Sequence, residues 1–501
     1  MQTNKINEKL LELIRLFRAS SPADGGEILT QISYLLFLRW ISDFSGNAIN
    51  NAKEPRIFTH PFFKKIRWDL FCDEEPSEQF ELYLTHVISF LGKTRFTGNS
   101  IHDFPHSFKN LINSPEMLSE AVRLINEAFE LAKDNGWDNI KAYGEIYDYL
   151  QNECFSSNIA GQYCTPRHLA RFMCALVNPI PTDRIIDPAC GKGNLLVSAV
   201  NNVIMANAMR AQLVKDEDGL NAVDDVRNVV DRDNYMKSVI GERLFGCDIN
   251  EQVVFFCAMN MVFHGVACPK IFMMDSLSAT FDNEMKPGSY NMVLSDIPIS
   301  PFTSIDNLSP RLRSFQTKKS EAMFLLRAIE LLADGGRAAV ILHEGALFSG
   351  GSTAKKIRKK LMDECRIEAI VSLPPGVFLP LSGVKASIIV FTKTRTAPSE
   401  SVWFYELAND GYSLNKNRRK LTENPLAEAV EWFDNKKVND KAFQVDVTTI
   451  RINNYDLSSG RYKIYDVPDE PSESPYEILA DILKSEEELA KCLTDLKSMI
   501  K

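Results

Sequence analysis

From about residue 160 onward, short β-branched or apolar runs alternate with helical segments, and this alternation restricts the fold more than any other feature. The runs span 184–187 (RIID), 244–249 (LFGCDI), 271–275 (IFMMD), 291–297 (NMVLSDI), 337–342 (RAAVIL), 367–374 (IEAIVSLP) and 386–393 (ASIIVFTK). Helical stretches such as EAMFLLRAIELLA lie between them. Strands separated by helices build a mostly parallel, doubly wound α/β sheet. Residues 1 to about 150 carry only the helical repeat, with apolar residues three and four apart. SPEM at 114–117 gives one of these helices a Ser cap with Pro at its first position. The charged stretch 212–240 reads as a surface insertion.

Composition narrows the classes further. The net charge of −9 argues against a chain that coats nucleic acid unaided, because phosphate binding needs a basic face. The ten cysteines contain no C-x-x-C pair, and no His cluster has metal spacing, so a reduced chain without a zinc site is expected. The N-terminus is amphipathic and lacks a signal-peptide apolar run. The most apolar segment, ILTQISYLLFLRWISDF, is broken by Gln31 and Arg39 and falls short of the ~20 apolar residues that span a bilayer. It reads as a core helix.

Several strand ends carry chemistry. RIIDPACGKGN is a strand entering a turn with Gly191 and Gly193, and ligands of doubly wound sheets bind at the carboxyl ends of strands. The turn is no P-loop, and with Leu196 at the third glycine position it is no dinucleotide fingerprint, which removes a nicotinamide dehydrogenase. Asp248 and Asp275 end the next two runs, placed for ribose hydroxyls and for an adenine amino group; each also suits a turn or helix cap. Thr165-Pro166 reads as a helix cap and first helical residue, leaving amides free for a carboxylate. KKIRKK at 355–360 faces either phosphate or solvent. From Ser474 a capped helix carries a heptad seam of Leu479, Ile482, Leu489, Leu493, Leu496 and Ile500, interrupted at Glu486. That seam docks on another helix or folds back on its own domain.

GQYCTPRHLARFM, DPACGKGNLL and the run from GGRAAVILHEGALFSGG to ASIIVFTK together resemble the modification (methyltransferase) subunit of type I restriction–modification systems, of the N-6 adenine DNA methylase family. The resemblance implies a Rossmann-like methyltransferase sheet at 151–465, an all-helical N-terminal domain at 1–150 and a helical docking tail at 466–501. It implies S-adenosylmethionine as cofactor and methylation of the exocyclic amine of a flipped-out adenine in double-stranded DNA. Partners would be a specificity subunit, a second copy of the chain on that same specificity subunit and, for cleavage, a motor-nuclease subunit, all cytoplasmic and away from membranes. Gln162, Tyr163, Thr165, Pro166 and Arg167 match the segment covering the methionine part of the cofactor. Asp187, Ala189, Gly191, Lys192 and Gly193 match the glycine turn, Asp248 the ribose ligand, and Asp275 with Ser276 the adenine contact.

Where the family strand ends Asn-Pro-Pro-Phe, this chain has Asp296, Ile297, Pro298 and Ile299 as its catalytic positions. A side-chain acceptor and a backbone carbonyl there hold the amine toward the sulfonium methyl, and Asp296 replaces Asn as that acceptor. Ile297 in a proline position is expected to alter the turn. Ile299 offers no ring, and base–aromatic stacking is worth about 1–3 kcal/mol; Phe302 is near enough in sequence to substitute. The alternative is a catalytically weak or inactive scaffold that binds the cofactor within a defence or regulatory complex.

Overall fold

The computed structural model describes residues 2–20, 22–44, 61–91, 110–155, 165–206, 208–209, 212–223, 241–266, 269–298, 307–315, 317, 319–394, 396, 399–463 and 475–499. Met1–Ser459 form one compact unit and Gly460–Lys501 a second.

Among the described residues the N-terminal part carries helices and no strand. Its long helices are α1 (Gln2–Ser20), α2 (Gly25–Phe44), α3 (Pro115–Asp134) and α4 (Asn139–Phe155). Ser114 caps α3 by accepting from the Met117 amide at 3.2 Å, and Pro115 occupies the first turn. The apolar segment around Gln31 is α2, buried along most of its length. Among the described residues no helix is long and apolar enough to cross a membrane.

The chain then alternates as expected. It runs α5 (Arg167–Val177), β1 (Ile185–Asp187), α6 (Asn194–Met205), a hairpin of β2 (Leu213–Lys215) and β3 (Asn221–Val223), β4 (Leu244–Asp248), α7 (Glu251–Phe263), β5 (Lys270–Met273) and β6 (Tyr290–Asp296). There follow α8 (Ser320–Leu331), β7 (Leu332–His343), α9 (Ser352–Glu364), β8 (Cys365–Ser372), β9 (Ala386–Lys393), β10 (Ser401–Glu406), α10 (Leu426–Asn435) and β11 (Ala442–Asp446). Nine strands form one sheet in the order β11-β10-β8-β9-β7-β6-β1-β4-β5. Strands β5, β4, β1, β6 and β7 are mutually parallel, whereas β9 runs antiparallel between β7 and β8. From β1 the chain first winds outward through β4 and β5, then returns to β6 on the other side. The reversal between β1 and β6 opens a crevice at their carboxyl ends.

Helix α7 explains how the helical region and the sheet form one unit. Its sequence EQVVFFCAMNMVF has no polar face, so both sides must be covered. Phe255, Phe256, Met259, Val262 and Phe263 pack into the helical core with residues of α1 to α4. Cys257, Ala258 and Met261 pack into the core of the sheet. Each fully buried large side chain contributes about 1.5–3 kcal/mol, so the shared helix is a strong adhesive.

The hairpin revises the reading of 212–240 as a surface insertion. In its described part Asp218 is buried, and Asp216 and Asp218 pair with Arg171 of α5 at 3.0 and 3.4 Å. Burying those carboxylates requires the cations opposite them. The remainder, 224–240, lies outside the described residues. The second unit carries α11 (Pro475–Met499). Leu479, Ile482, Leu489 and Leu493 of its seam are 55–63% exposed, an apolar stripe facing water. Ser474, Ile500 and the side chain of Leu496 lie outside the described residues.

Candidate active site

Strand β1 ends at the bottom of the crevice. There Oδ1 of the buried Asp187 accepts from the Ala189 amide at 3.0 Å and from the Ser295 hydroxyl at 2.9 Å. Burial pushes this carboxyl up to about 8, and the neighbouring charges of Asp296 and Asp248 push the same way. The turn that follows needs left-handed backbone, with φ of +51° at Gly191 and +88° at Gly193. A Cβ on Gly193 would also stand 2.8 Å from the Cys257 sulfur, so the turn is pressed onto α7. Lys192 is buried, its ammonium 3.1 Å from the centre of the Phe155 ring at the end of α4.

Two further strand ends close around the turn. Asp248, half-buried at the end of β4, accepts from the Gly191 amide at 3.3 Å and from the Asn250 amide at 3.0 Å. Burial raises its pKa as well. The Ser276 hydroxyl, past the end of β5, donates to the Pro188 carbonyl at 2.6 Å. Asp275 accepts from the Leu277 amide at 2.9 Å, so its side chain shapes its own turn. Between Asp248 and the Asn250 cap, Ile249 is 65% exposed, an apolar plate at a strand end that sequence reasoning passed over. Its signal was available: a large aliphatic residue between two turn-forming polar ones.

The β6 side of the crevice is reached through Thr165. Its hydroxyl donates to Oδ2 of Asp296 at 2.8 Å, and its carbonyl accepts from the Asn194 amide side chain at 2.8 Å. Asn194 directly follows Gly193. One residue therefore joins the glycine turn to the end of β6. This corrects the expected cap: α5 starts at Arg167 with Pro166 at the capping position, and the Thr165 hydroxyl is committed to Asp296.

Past Asp296, the Ile297 amide donates to the Ile341 carbonyl at 3.2 Å, and the side chain is buried. A proline at 297 could make no such bond. Ile297 thus extends the β6–β7 pairing by one residue. The Pro298 carbonyl accepts from the Ser320 hydroxyl at 3.2 Å. Beside it His343, at the end of β7, is 4% exposed, and neither ring nitrogen has a hydrogen-bond partner among the described residues. Its Nδ1 lies 3.8 Å from Oε1 of Glu321. Burial lowers the His343 pKa and raises that of Glu321, so both favour the neutral form. Gln162, Tyr163, Ile299 and Phe302 lie outside the described residues.

The family pattern of the N-6 DNA methylase matches residues 138–468. The chain belongs to the N-6 DNA methylase family. Across nearly its full length the chain is 26% identical to the EcoEI type I restriction enzyme methylase subunit of Escherichia coli, covering 99% of this chain and 97% of that protein. It is 25% identical to the EcoKI methylase subunit of E. coli K12 over 85% of this chain and 75% of that protein. A solved chain of a type I restriction–modification system superposes with a TM-score of 0.66 at 21% identity, covering 99% and 98% of the two chains. The type I methyltransferase subunit of Streptococcus thermophilus gives 0.66 at 18% identity over 93% and 100%. The fold and the sequence resemblance to type I modification subunits are both borne out.

Arg167, expected beside the cofactor, faces the helical region. Arg167 ion-pairs with Glu145 at 3.2 Å and Asp148 at 2.6 Å on α4, clamping the helical region to the start of α5. In KKIRKK, Arg358 donates to the carbonyls of Ala346, Ser349 and Tyr455, while Lys359 and Lys360 pair with Asp363 and Glu364 one turn on. Arg358 is thus structural, whereas Lys355, Lys356 and Lys359 are exposed to solvent. A cavity of about 1410 Å³ lies along the 167–171–175–178 face of α5, lined also by Trp137, Lys141, Lys215 and Glu431. The glycine turn does not border it, and the chemistry described above lies in the crevice instead.

Proposed function

We propose that this chain is the DNA adenine methyltransferase subunit of a type I restriction–modification complex, using S-adenosylmethionine in the crevice between β1 and β6. The observation that carries the reading is the Thr165 bridge from Asn194, at the glycine turn, to Asp296, at the end of β6. Donor seat and base acceptor lie one side chain apart.

The residues suit a cationic nucleoside. Asp187, Asp248 and Asp296 gather at adjoining strand ends, and burial holds the first two above the ordinary carboxylate range. A positive ligand relieves that accumulation. When bound, S-adenosylmethionine supplies an electrophilic methyl on a sulfonium. Gly191 and Gly193 let the backbone approach it, Asp248 takes the ribose hydroxyls, and Ile249 offers an apolar face to the purine. Asp275 and Ser276 border the adenine edge, with Thr165 and Pro166 on the methionine side. Asp296 accepts from the target amine, a poor nucleophile until its lone pair is freed from the ring, and the amine proton leaves toward that carboxylate. The base must leave the duplex to reach it.

The relatives are methylase subunits of restriction enzymes, which supports a specificity subunit as partner, a second methylase copy and a motor-nuclease for cleavage, in the cytoplasm. The net charge of −9 suits a subunit that borrows DNA affinity from its partner. The exposed stripe on α11 is the docking element for that assembly. A second reading, a catalytically weak cofactor-binding scaffold, draws on Ile297, folded into the β-ladder, and on a residue without a ring at 299. Transfer of tritiated methyl to DNA by the chain with its cognate specificity subunit separates the two. Incorporation above background supports the methyltransferase; background incorporation with normal cofactor binding supports the scaffold.

A further inference from the structure

We propose that Ser295 is a positioning residue that ties the cofactor seat to the base acceptor, setting both through its hydroxyl bond to Asp187. This inference rests on the reading of the glycine turn as the seat of S-adenosylmethionine. Ser295 is fully buried near the end of β6, after Val293 and Leu294. A hydroxyl in such a strand is unfavourable unless it is bonded. Here it donates to Oδ1 of Asp187 at 2.9 Å, across the crevice from β6 to β1. The next residue is Asp296, whose side chain leaves the strand in the opposite direction and is held by Thr165 at 2.8 Å. Two hydroxyl bonds therefore grip the end of β6 from two sides. One reaches the carboxylate beneath the glycine turn, the other the segment that covers it.

The Ser295 bond also bears on the charge of Asp187. It favours the ionised carboxylate and so opposes burial, the main influence raising that group. The other titratable groups facing Asp187 are Asp248, Asp296 and the thiols of Cys174, Cys190 and Cys247. Without the hydroxyl, Asp187 keeps its proton to higher pH, and a neutral carboxyl holds a cationic cofactor poorly.

The test compares the full chain, in complex with its specificity subunit, as wild type, Ser295→Ala and Ser295→Thr. Calorimetric titration with S-adenosylmethionine from pH 6.5 to 9.5 is the first readout. Ser295→Ala is expected to bind roughly tenfold to a hundredfold more weakly near neutrality, as befits one hydrogen bond to a charged acceptor. The deficit narrows above pH 9, while Ser295→Thr follows the wild-type pH profile. The second readout needs no cofactor: the melting-temperature gap between Ser295→Ala and wild type widens as pH rises through 8. A Ser295→Ala protein with the wild-type affinity and pH profile overturns the proposal. So does a loss of affinity that is the same at every pH. A wild-type chain that takes up no S-adenosylmethionine at any pH defeats the parent reading, and this one with it.

Discussion

The side-chain hydroxyl of Thr165 donates to Oδ2 of Asp296 at 2.8 Å, joining positions 131 residues apart in the chain. The carboxylate at the end of β6 is thereby fixed by the segment that precedes α5. Removing that bond while keeping the shape, as in Thr165→Val, should release Asp296. A hydrogen bond to a charged group is worth about 1.5–3 kcal/mol, and each ~1.4 kcal/mol is a decade in rate. Methyl transfer by Thr165→Val is therefore expected to fall roughly tenfold to a hundredfold, more than cofactor affinity does. Equal losses in both would place Thr165 on the cofactor alone.

Under the proposed function, cofactor binding is expected to depend on pH through Asp187. Its folded pKa of about 8 lies above the model-peptide value, so the folded chain without cofactor binds the extra proton. The stability this contributes is complete below the unfolded pKa near ~4 and is lost as pH rises toward 8. Asp187→Asn should therefore melt higher than wild type at pH 8.5 and show little difference at pH 4. The same substitution should abolish S-adenosylmethionine uptake, whereas wild-type affinity climbs between pH 6.5 and 8.5. Differential scanning calorimetry with parallel titrations reads both.

Arg167 behaves as a clamp in the structure, paired with Glu145 and Asp148 of α4. Its side chain is about one third exposed, so the pairing counts for less than a fully buried one, on the order of 1–3 kcal/mol. Arg167→Gln should lower the melting temperature by several degrees and change cofactor affinity less than about threefold. A large affinity loss at unchanged melting temperature would make Arg167 a direct ligand instead.

Much of this was legible in the sequence because strands ending on carboxylates announce a crevice. Asp187, Asp248, Asp275 and Asp296 each sit at or just past a strand end, and the seven expected strands all formed. The strand Ser401–Glu406 and the edge strand Ala442–Asp446 beside it were not foreseen, since both are short and mix polar with apolar residues. The role of Arg167 was hidden because its partners lie on a helix about twenty residues upstream. Ser295, His343 and Ile249 were passed over because their significance comes from burial and exposure, which no local pattern reports.

The C-terminal unit offers a separate test. Leu479, Ile482, Leu489 and Leu493 form an exposed stripe on α11. Replacing Ile482 and Leu489 by Glu should leave the melting temperature of Met1–Ser459 unchanged, because that unit folds around its own cores. Co-purification with the specificity subunit should fall at least tenfold. Full recovery of the complex would show that the stripe serves another purpose.

The most direct measurement is tritiated-methyl transfer from S-adenosylmethionine to DNA bearing the recognised site, by the complex carrying either wild-type chain or Asp296→Ala. Label is expected on the exocyclic amine of adenine with wild type, and a loss of at least about a hundredfold with Asp296→Ala at saturating cofactor. Full activity without the Asp296 carboxylate would contradict the assignment of that group as the base acceptor.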